Sequence, residues 1–175
     1  MVYNALAAAA VGKIYGLTGE EIRRGIEDIR SMEGRFHVEK IGDVLLIDDS
    51  YNANPVSMMG SVDTLSQAAG RRVAILGDMG ELGEEEALLH VRVGEHVAAS
   101  DVDEAVFVGT LAREMAEAAK RSSCRPGQRI IYEPDVDTLL SHLDSYVQKG
   151  DTVLVKASHF MGLERVVKVL KEKKG

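Results

Sequence analysis

The sequence holds one cysteine, Cys124, so an intrachain disulfide is excluded; no His stands near it in the chain, and it reads as an incidental thiol. Long apolar runs are also missing. Nothing reaches the ~18 residues that a membrane span needs. The run from Ala7 to Val11 is short and lacks the charged start of a signal peptide. A reducing, cytoplasmic setting with no membrane partner is the expectation. Basic clusters are scarce. The one present, Lys168 to Lys174, falls where a helix should end and suits the helix macrodipole. With a net charge of −7, a nucleic-acid surface is excluded, because neutralising phosphates takes clustered Lys and Arg. A phosphate loop is absent as well. Gly12-Lys13 has no glycine five residues before it, and Ile14 stands where a metal-holding Ser or Thr would be required.

What is present suits an ordinary globular domain with some excess: 175 residues, 45% of them apolar. Residues 1–34 differ from the rest. Tyr3 to Tyr15 is alanine-rich and helical in propensity. Gly16 and Leu17 end it. Thr18 with Glu21 forms a capping-box pattern that starts a second helix through about Ile29, and Ser31 to Gly34 reads as a linker. Two short helices make no core of their own, so residues 1–34 read as the helical tail of a preceding domain or a cap on the next one, and 35–175 as the main domain.

From Phe36 the period changes. Phe36 to Ile41 and Val44 to Ile47 flank the turn signal Gly42-Asp43 and predict a hairpin. Strand and helix then alternate. Helices are expected over 55–69, 84–99, 111–121, 136–147 and 162–173, and strands over 73–76, 104–108, 129–132 and 152–155. Continuous apolar strands between helices indicate an α/β fold with a doubly wound, mostly parallel, Rossmann-like sheet of about six strands. The Phe36 strand would be an antiparallel edge.

The most informative stretch is Asp43 to Pro55, DVLLIDDSYNANP. An apolar run stops at a cluster of polar groups, and Asn54-Pro55 reads as a helix cap followed by proline at the first helical position. The polar residues thus fall at the carboxyl end of a strand, where open α/β sheets bind ligands. The other strand ends carry Gly77 to Gly83, Gly109-Thr110, Glu133-Pro134 and Lys156 to His159. Asp48 and Asp49 suit a ribose diol, Mg²⁺, or a cap on loop N–H groups. The glycines of 77–83 serve either a ligand or plain turns. Lys156 suits a phosphate or carboxylate, or an ion pair with a nearby Asp. Ser158 and His159 either meet a substrate or cap the last helix. His37, His90, His96 and His142 show no ligand spacing and read as structural or surface residues.

Two acidic residues after a first strand and a lysine after a late one also resemble a phosphorylated receiver-type signalling domain. That reading needs an aspartate at the end of the third parallel strand. Here the segment is Val106-Phe107-Val108-Gly109-Thr110, and no proline follows Lys156.

A second resemblance covers nearly the whole chain. YNALAAA from Tyr3, DDSYNANPVSM from Asp48, GDMGELGEEE from Gly77 with His90 following, and VLVKASHFMGLERVV from Val153 occur in the order found in the Mur ligase family. Among its members they are most similar to those that add D-alanyl-D-alanine to UDP-N-acetylmuramoyl-tripeptide. The Tyr-Asn-Ala-Asn sequence disfavours diaminopimelate-adding and folylpolyglutamate-type relatives. The resemblance implies an ATP-dependent ligase of peptidoglycan precursor synthesis. ATP phosphorylates a peptide carboxylate, an incoming amine attacks the acyl phosphate, and an amide, ADP and phosphate result. It implies that Arg35 reaches the ATP phosphates and acts in catalysis, and that Asp49, Tyr51, Asn52 and Asn54 lie beside the nucleotide. Lys156, Ser158 and His159 would position D-alanyl-D-alanine, Lys156 also acting in catalysis. Mg²⁺, the phosphate loop and the contacts to UDP-N-acetylmuramoyl-tripeptide would belong to domains not in this sequence, and no metal ligand is expected here. The chain is expected to be a C-terminal fragment, monomeric and inactive alone.

Overall fold

In the computed structural model, residues 2–28, 34–122 and 124–174 are described. The chain divides into two units, residues 1–31 and 32–175. In the first, α1 (Val2–Ile14) and α2 (Gly19–Glu27) form a helical pair. The capping box forms as its sequence requires. Thr18 Oγ1 accepts from the Glu21 N–H at 3.2 Å, and the Glu21 carboxylate accepts from the Thr18 N–H at 2.8 Å. Ile29 and residues 31–33 of the expected linker lie outside the described residues.

The second unit is a six-stranded sheet flanked by five helices. Its strands are β1 (His37–Ile41), β2 (Val44–Asp49), β3 (Arg72–Gly77), β4 (Glu104–Val108), β5 (Arg129–Glu133) and β6 (Thr152–Lys156). Its helices are α3 (Pro55–Ser66), α4 (Glu86–Ala99), α5 (Ala112–Arg121), α6 (Val136–Tyr146) and α7 (Glu164–Lys174). The strand order is β1-β2-β6-β3-β4-β5, with β1–β2 antiparallel and every other pair parallel. The mostly parallel, doubly wound sheet with one antiparallel edge strand is therefore present.

The core follows from strand alternation. Val73 and Ile75 pack with Leu139, Leu143, Val166 and Leu170 under α6 and α7. Ala74 and Leu76 point the other way, into Met58, Leu65, Val97 and Met115 under α3, α4 and α5. Both faces are covered, which is why β4 and β6 are buried at every position. Two helix starts differ from the sequence reading. The fourth begins at Glu86 after a 3-10 turn over Gly83–Glu85. The last begins at Glu164, because Gly162 adopts φ 68° at the end of a second 3-10 turn, His159–Met161.

The amino edge of the sheet is fastened by ion pairs, leaving the carboxyl edge for ligands. Fully buried Glu104 accepts from Arg71 at 2.8 Å and is paired with Arg129 at 2.7 Å, and Arg71 also pairs with Asp151 at 2.7 Å. Next to it Asp103 accepts from the Arg72 N–H and side chain, both at 2.9 Å, and from Arg125 at 2.7 Å. Burial alone would raise the Asp103 pKa. The two guanidiniums outweigh it and hold the carboxyl well below the ordinary aspartate range. A depressed folded-state pKa stabilises the fold above the unfolded value, and that stability drains away as pH falls through the folded one. Asp103→Asn should therefore lose about 1.5–3 kcal/mol at neutral pH. It should also flatten the decline in stability that the parent chain shows below roughly pH 4. Urea unfolding at a series of pH values measures both, and parallel pH profiles for the two proteins would rule the account out.

Candidate functional site

Register builds the site. In the β2–β6 ladder Asp49 is opposite Lys156, and Lys156 also neighbours Leu76 of β3. Asp49 and Lys156 share the α3 face of the sheet, because side chains two residues apart on a strand point the same way and Ile47 and Leu154 belong to the core on that side. The result is an ion pair of 2.6 Å, with the Lys156 side chain only 3% exposed. Lys156 Nζ also donates to the Asn52 carbonyl at 2.9 Å. Two of the three ammonium protons are thus used within the loop. Of the two alternatives that the sequence left open for this lysine, the ion pair with a neighbouring aspartate is formed.

The adjacent carboxylates do different work because successive strand residues face opposite ways. Asp49 Oδ1 accepts from the Phe36 N–H at 3.0 Å, and its Oδ2 accepts from Ser61 Oγ at 2.8 Å. Asp48 faces α7. It accepts from the Gly34 N–H at 3.1 Å, the Ser50 N–H at 3.2 Å and the Ser50 hydroxyl at 2.6 Å. Together the pair clamps the backbone on either side of Arg35. The Tyr51 N–H donates to the Gly34 carbonyl at 2.9 Å and closes the clamp. Arg35 is exposed, and its guanidinium lies 4.1 Å from the centre of the Tyr51 ring, a cation–π contact. Tyr51 in turn stands 5.7 Å from the His159 ring at a tilt of 35°. The sequence separates Arg35, Tyr51 and His159 widely; the fold makes them one aromatic and cationic group at the carboxyl edge.

The remaining residues singled out from the sequence frame this group. Asn54 caps α3, its Oδ1 accepting from the Ser57 N–H at 2.9 Å, while the Ser57 hydroxyl accepts from the Asn54 N–H at 3.1 Å. Asn52 is exposed beside Tyr51, its own Oδ1 accepting from the Ala53 N–H at 2.8 Å. Ser158 joins three loops. Its Oγ accepts from the Gly80 N–H at 2.8 Å and donates to the Ala53 carbonyl at 3.3 Å. Its side chain makes no capping bond to the turn that follows. Asp78 receives the Thr110 and Ala112 N–H groups at 3.0 and 2.6 Å, so it fixes the start of α5 rather than facing a ligand. His90 is fully buried. Its Nε2 accepts from the Met79 N–H at 3.0 Å, and its Nδ1 lies 2.7 Å from the Glu86 carbonyl, which sets the neutral tautomer with the proton on Nδ1.

Two clefts open at this edge. One, of about 530 Å³, lies between Tyr51, His159 and the α7 residues Glu164, Lys168 and Lys171. The other, of about 390 Å³, is lined by Tyr51, Asn52, Glu81, Ser158, His159 and Phe160. Sequence reasoning missed Ser61, Phe160 and the α7 contribution. Ser61 looks like any helical serine until β2 is placed beside α3. Among the described residues no group of three or more His, Cys, Asp or Glu could hold a metal ion. The oxygens of Asp48 and Asp49 are taken up by N–H, hydroxyl and ammonium donors, so Mg²⁺ does not fit the acidic pair.

An open α/β sheet with its polar groups gathered on the carboxyl edge, where β6 returns between β2 and β3, is the architecture of a ligand-binding α/β domain. The chain belongs to the Mur ligase family: residues 34–159 match "Mur ligase, glutamate ligase domain". It is 35% identical to the UDP-N-acetylmuramoyl-tripeptide–D-alanyl-D-alanine ligase of Escherichia coli, over 98% of this chain and 37% of that protein. A crystal structure of MurF from Acinetobacter baumannii superposes with a TM-score of 0.85 at 31% identity, covering 98% of this chain and 37% of the other. MurF ligase from Thermotoga maritima in complex with ADP gives 0.76 at 28% identity, over 94% of this chain and 36% of the other. The chain thus spans a little over a third of the length of the curated relatives it matches. These matches do not favour the receiver-type alternative. Among the described residues no helix is long and apolar enough to cross a membrane.

Proposed function

We propose that this chain is the C-terminal part of a cytoplasmic, monomeric, ATP-dependent amide ligase that adds D-alanyl-D-alanine to UDP-N-acetylmuramoyl-tripeptide. The observation that carries the reading is the carboxyl-edge group of Arg35, Tyr51 and His159, built on the Asp49–Lys156 pair, in a chain similar along its length to ligases of that name. ATP would supply the phosphoryl group that activates the peptide carboxylate. The exposed Arg35 guanidinium, fixed by clamps on both sides, serves its phosphates, where a planar fork of donors stabilises charge on oxygen. The half-exposed Tyr51 ring and the Asn52 amide offer a stacking face and hydrogen bonds to the adenine and ribose. Asp49 and Asn54 hold the two ends of that loop. On the other side of Tyr51, Ser158 and His159 border the cleft for the incoming dipeptide. Lys156 supports both sides through Asp49 and the Asn52 carbonyl, which leaves one ammonium proton for the dipeptide carboxylate. Mg²⁺ belongs with the parts of the ligase that carry the phosphate loop.

The sequence given has no phosphate loop, so this chain alone should release phosphate only at background level with ATP, tripeptide precursor and D-alanyl-D-alanine. Nucleotide affinity of the isolated chain is a separate matter. Calorimetric titration with ADP should show weak binding, in roughly the millimolar to high-micromolar range expected of a partial site. Tyr51→Ala should abolish the heat. Clear turnover by the isolated chain, or ADP heats unchanged by Tyr51→Ala, would overturn these assignments.

A further inference from the structure

The loop from Gly77 to Gly83 is rich in glycine, yet its one left-handed position besides Gly83 holds a residue with a long side chain. Glu81 has φ 60°, a conformation that L side chains rarely adopt and that glycine takes without strain. Phe36, the other described non-glycine residue with positive φ, has a visible reason, since its N–H is held by Asp49. Glu81 has no such tether. Among the described residues its carboxylate has no hydrogen-bond or ion-pair partner, and it is exposed on the wall of the 390 Å³ cleft. Strain retained at a loop where a cheaper residue is available marks a position kept for what its side chain does.

The rest of that cleft says what the carboxylate meets. Phe160 is 68% exposed and lies against Gly80, where a Cβ would stand 2.8 Å from its ring. The His159 ring has no hydrogen-bond partner among the described residues, its carbonyl alone being bonded, to the Gly162 N–H, and Asn52 and Ser158 are uncharged. The lining of this one cleft therefore brings together an unpartnered carboxylate, an imidazole and an exposed aromatic face. That suits a small zwitterion, with an ammonium for the carboxylate and a carboxylate for the imidazole.

We propose that Glu81 binds the ammonium group of the incoming amino acid or dipeptide, with its carboxylate directed toward His159. This assignment rests on the ligase reading given above and names a residue for its amine subsite. The test uses the complete ligase that contains this chain. Glu81→Gln should raise KM for D-alanyl-D-alanine at least about tenfold and leave KM for ATP within about twofold, as expected when one partner of a charge pair is neutralised. Glu81→Asp should recover part of the loss. Glu81→Gly should show the same rise in dipeptide KM together with an unfolding midpoint equal to or above that of the parent. A purely structural role for Glu81 would not produce that combination. Dipeptide KM unchanged in Glu81→Gln and Glu81→Gly, or an equal rise in KM for ATP, overturns the assignment alone. A parent enzyme that turns over no amino acid or dipeptide overturns the ligase reading and this assignment with it.

Discussion

Replacing Asp49 with alanine should lower the stability of this chain by roughly 3–5 kcal/mol, the cost of stranding one member of a buried ion pair. The Lys156 side chain is 3% exposed and that of Asp49 15%, so water cannot take over the partner's place. Two further donors lose an acceptor: the Phe36 N–H, and the Ser61 hydroxyl, which also reaches the Ser57 carbonyl. Asp49→Asn should cost nearly as much, because it leaves the ammonium unpaired while preserving shape. The double variant Asp49→Asn, Lys156→Met should recover a large share, since removing both charges also removes the need to desolvate them. Equilibrium urea unfolding of the parent, Asp49→Asn, Lys156→Met and the double variant gives the coupling energy directly. A single-variant loss under about 1 kcal/mol would mean that the pair behaves like an exposed one. The same variants should loosen the chain around Arg35, so ADP affinity should fall in parallel with stability.

Gly94→Ala should be the second severe change, and in the opposite sense from the usual rule. Alanine in place of a mid-helix glycine normally gains about 0.5–1 kcal/mol. At Gly94 of α4, however, a Cβ would stand 2.2 Å from the Met115 carbonyl oxygen and 2.8 Å from the carbonyl carbon of α5. Both are backbone atoms, so no rotamer change relieves the contact and the helices must part. Overpacking of this kind costs about 1–3 kcal/mol or more, which outweighs the helix gain. Gly60→Ala on α3 supplies the control. Nothing lies within 4 Å of a Cβ there, and stability should rise by the ordinary helix increment, about 0.5–1 kcal/mol. Thermal unfolding of the pair separates the two effects. Equal behaviour of Gly94→Ala and Gly60→Ala would show that α4 and α5 are not in tight backbone contact.

The order of elements was legible because strands buried on both faces read as unbroken apolar runs, and Thr18 and Asn54-Pro55 announce helix starts through local hydrogen bonding. The site was legible as a set of strand ends, because in a parallel sheet those ends share an edge. The use of each residue was not legible. Whether Lys156 meets a ligand or an aspartate depends on the β2–β6 register, which joins positions more than a hundred residues apart. Asp48 and Asp49 look equivalent as a pair of letters. Their separate duties, one toward α7 and one toward α3, appear only when both faces of the sheet are filled. Glu81 carried no signal of its own, because a positive φ at a residue other than glycine leaves no trace in composition or period.

The place of β6 has a consequence for biosynthesis. It lies between β2 and β3, yet it is the last strand of the sheet in chain order. On a translating ribosome β1 and β2 can pair early, and β3, β4 and β5 can assemble as a second piece, but the halves have no strand joining them until Thr152 to Lys156 has emerged. Until then β2 and β3 each carry a bare hydrogen-bonding edge and an uncovered apolar flank, the surfaces on which nascent chains recruit chaperones or aggregate. Nascent chains stalled before residue 152 should therefore be protease-sensitive across the β1–β5 segment, and emergence of Thr152 to Lys156 should bring protection in a single step.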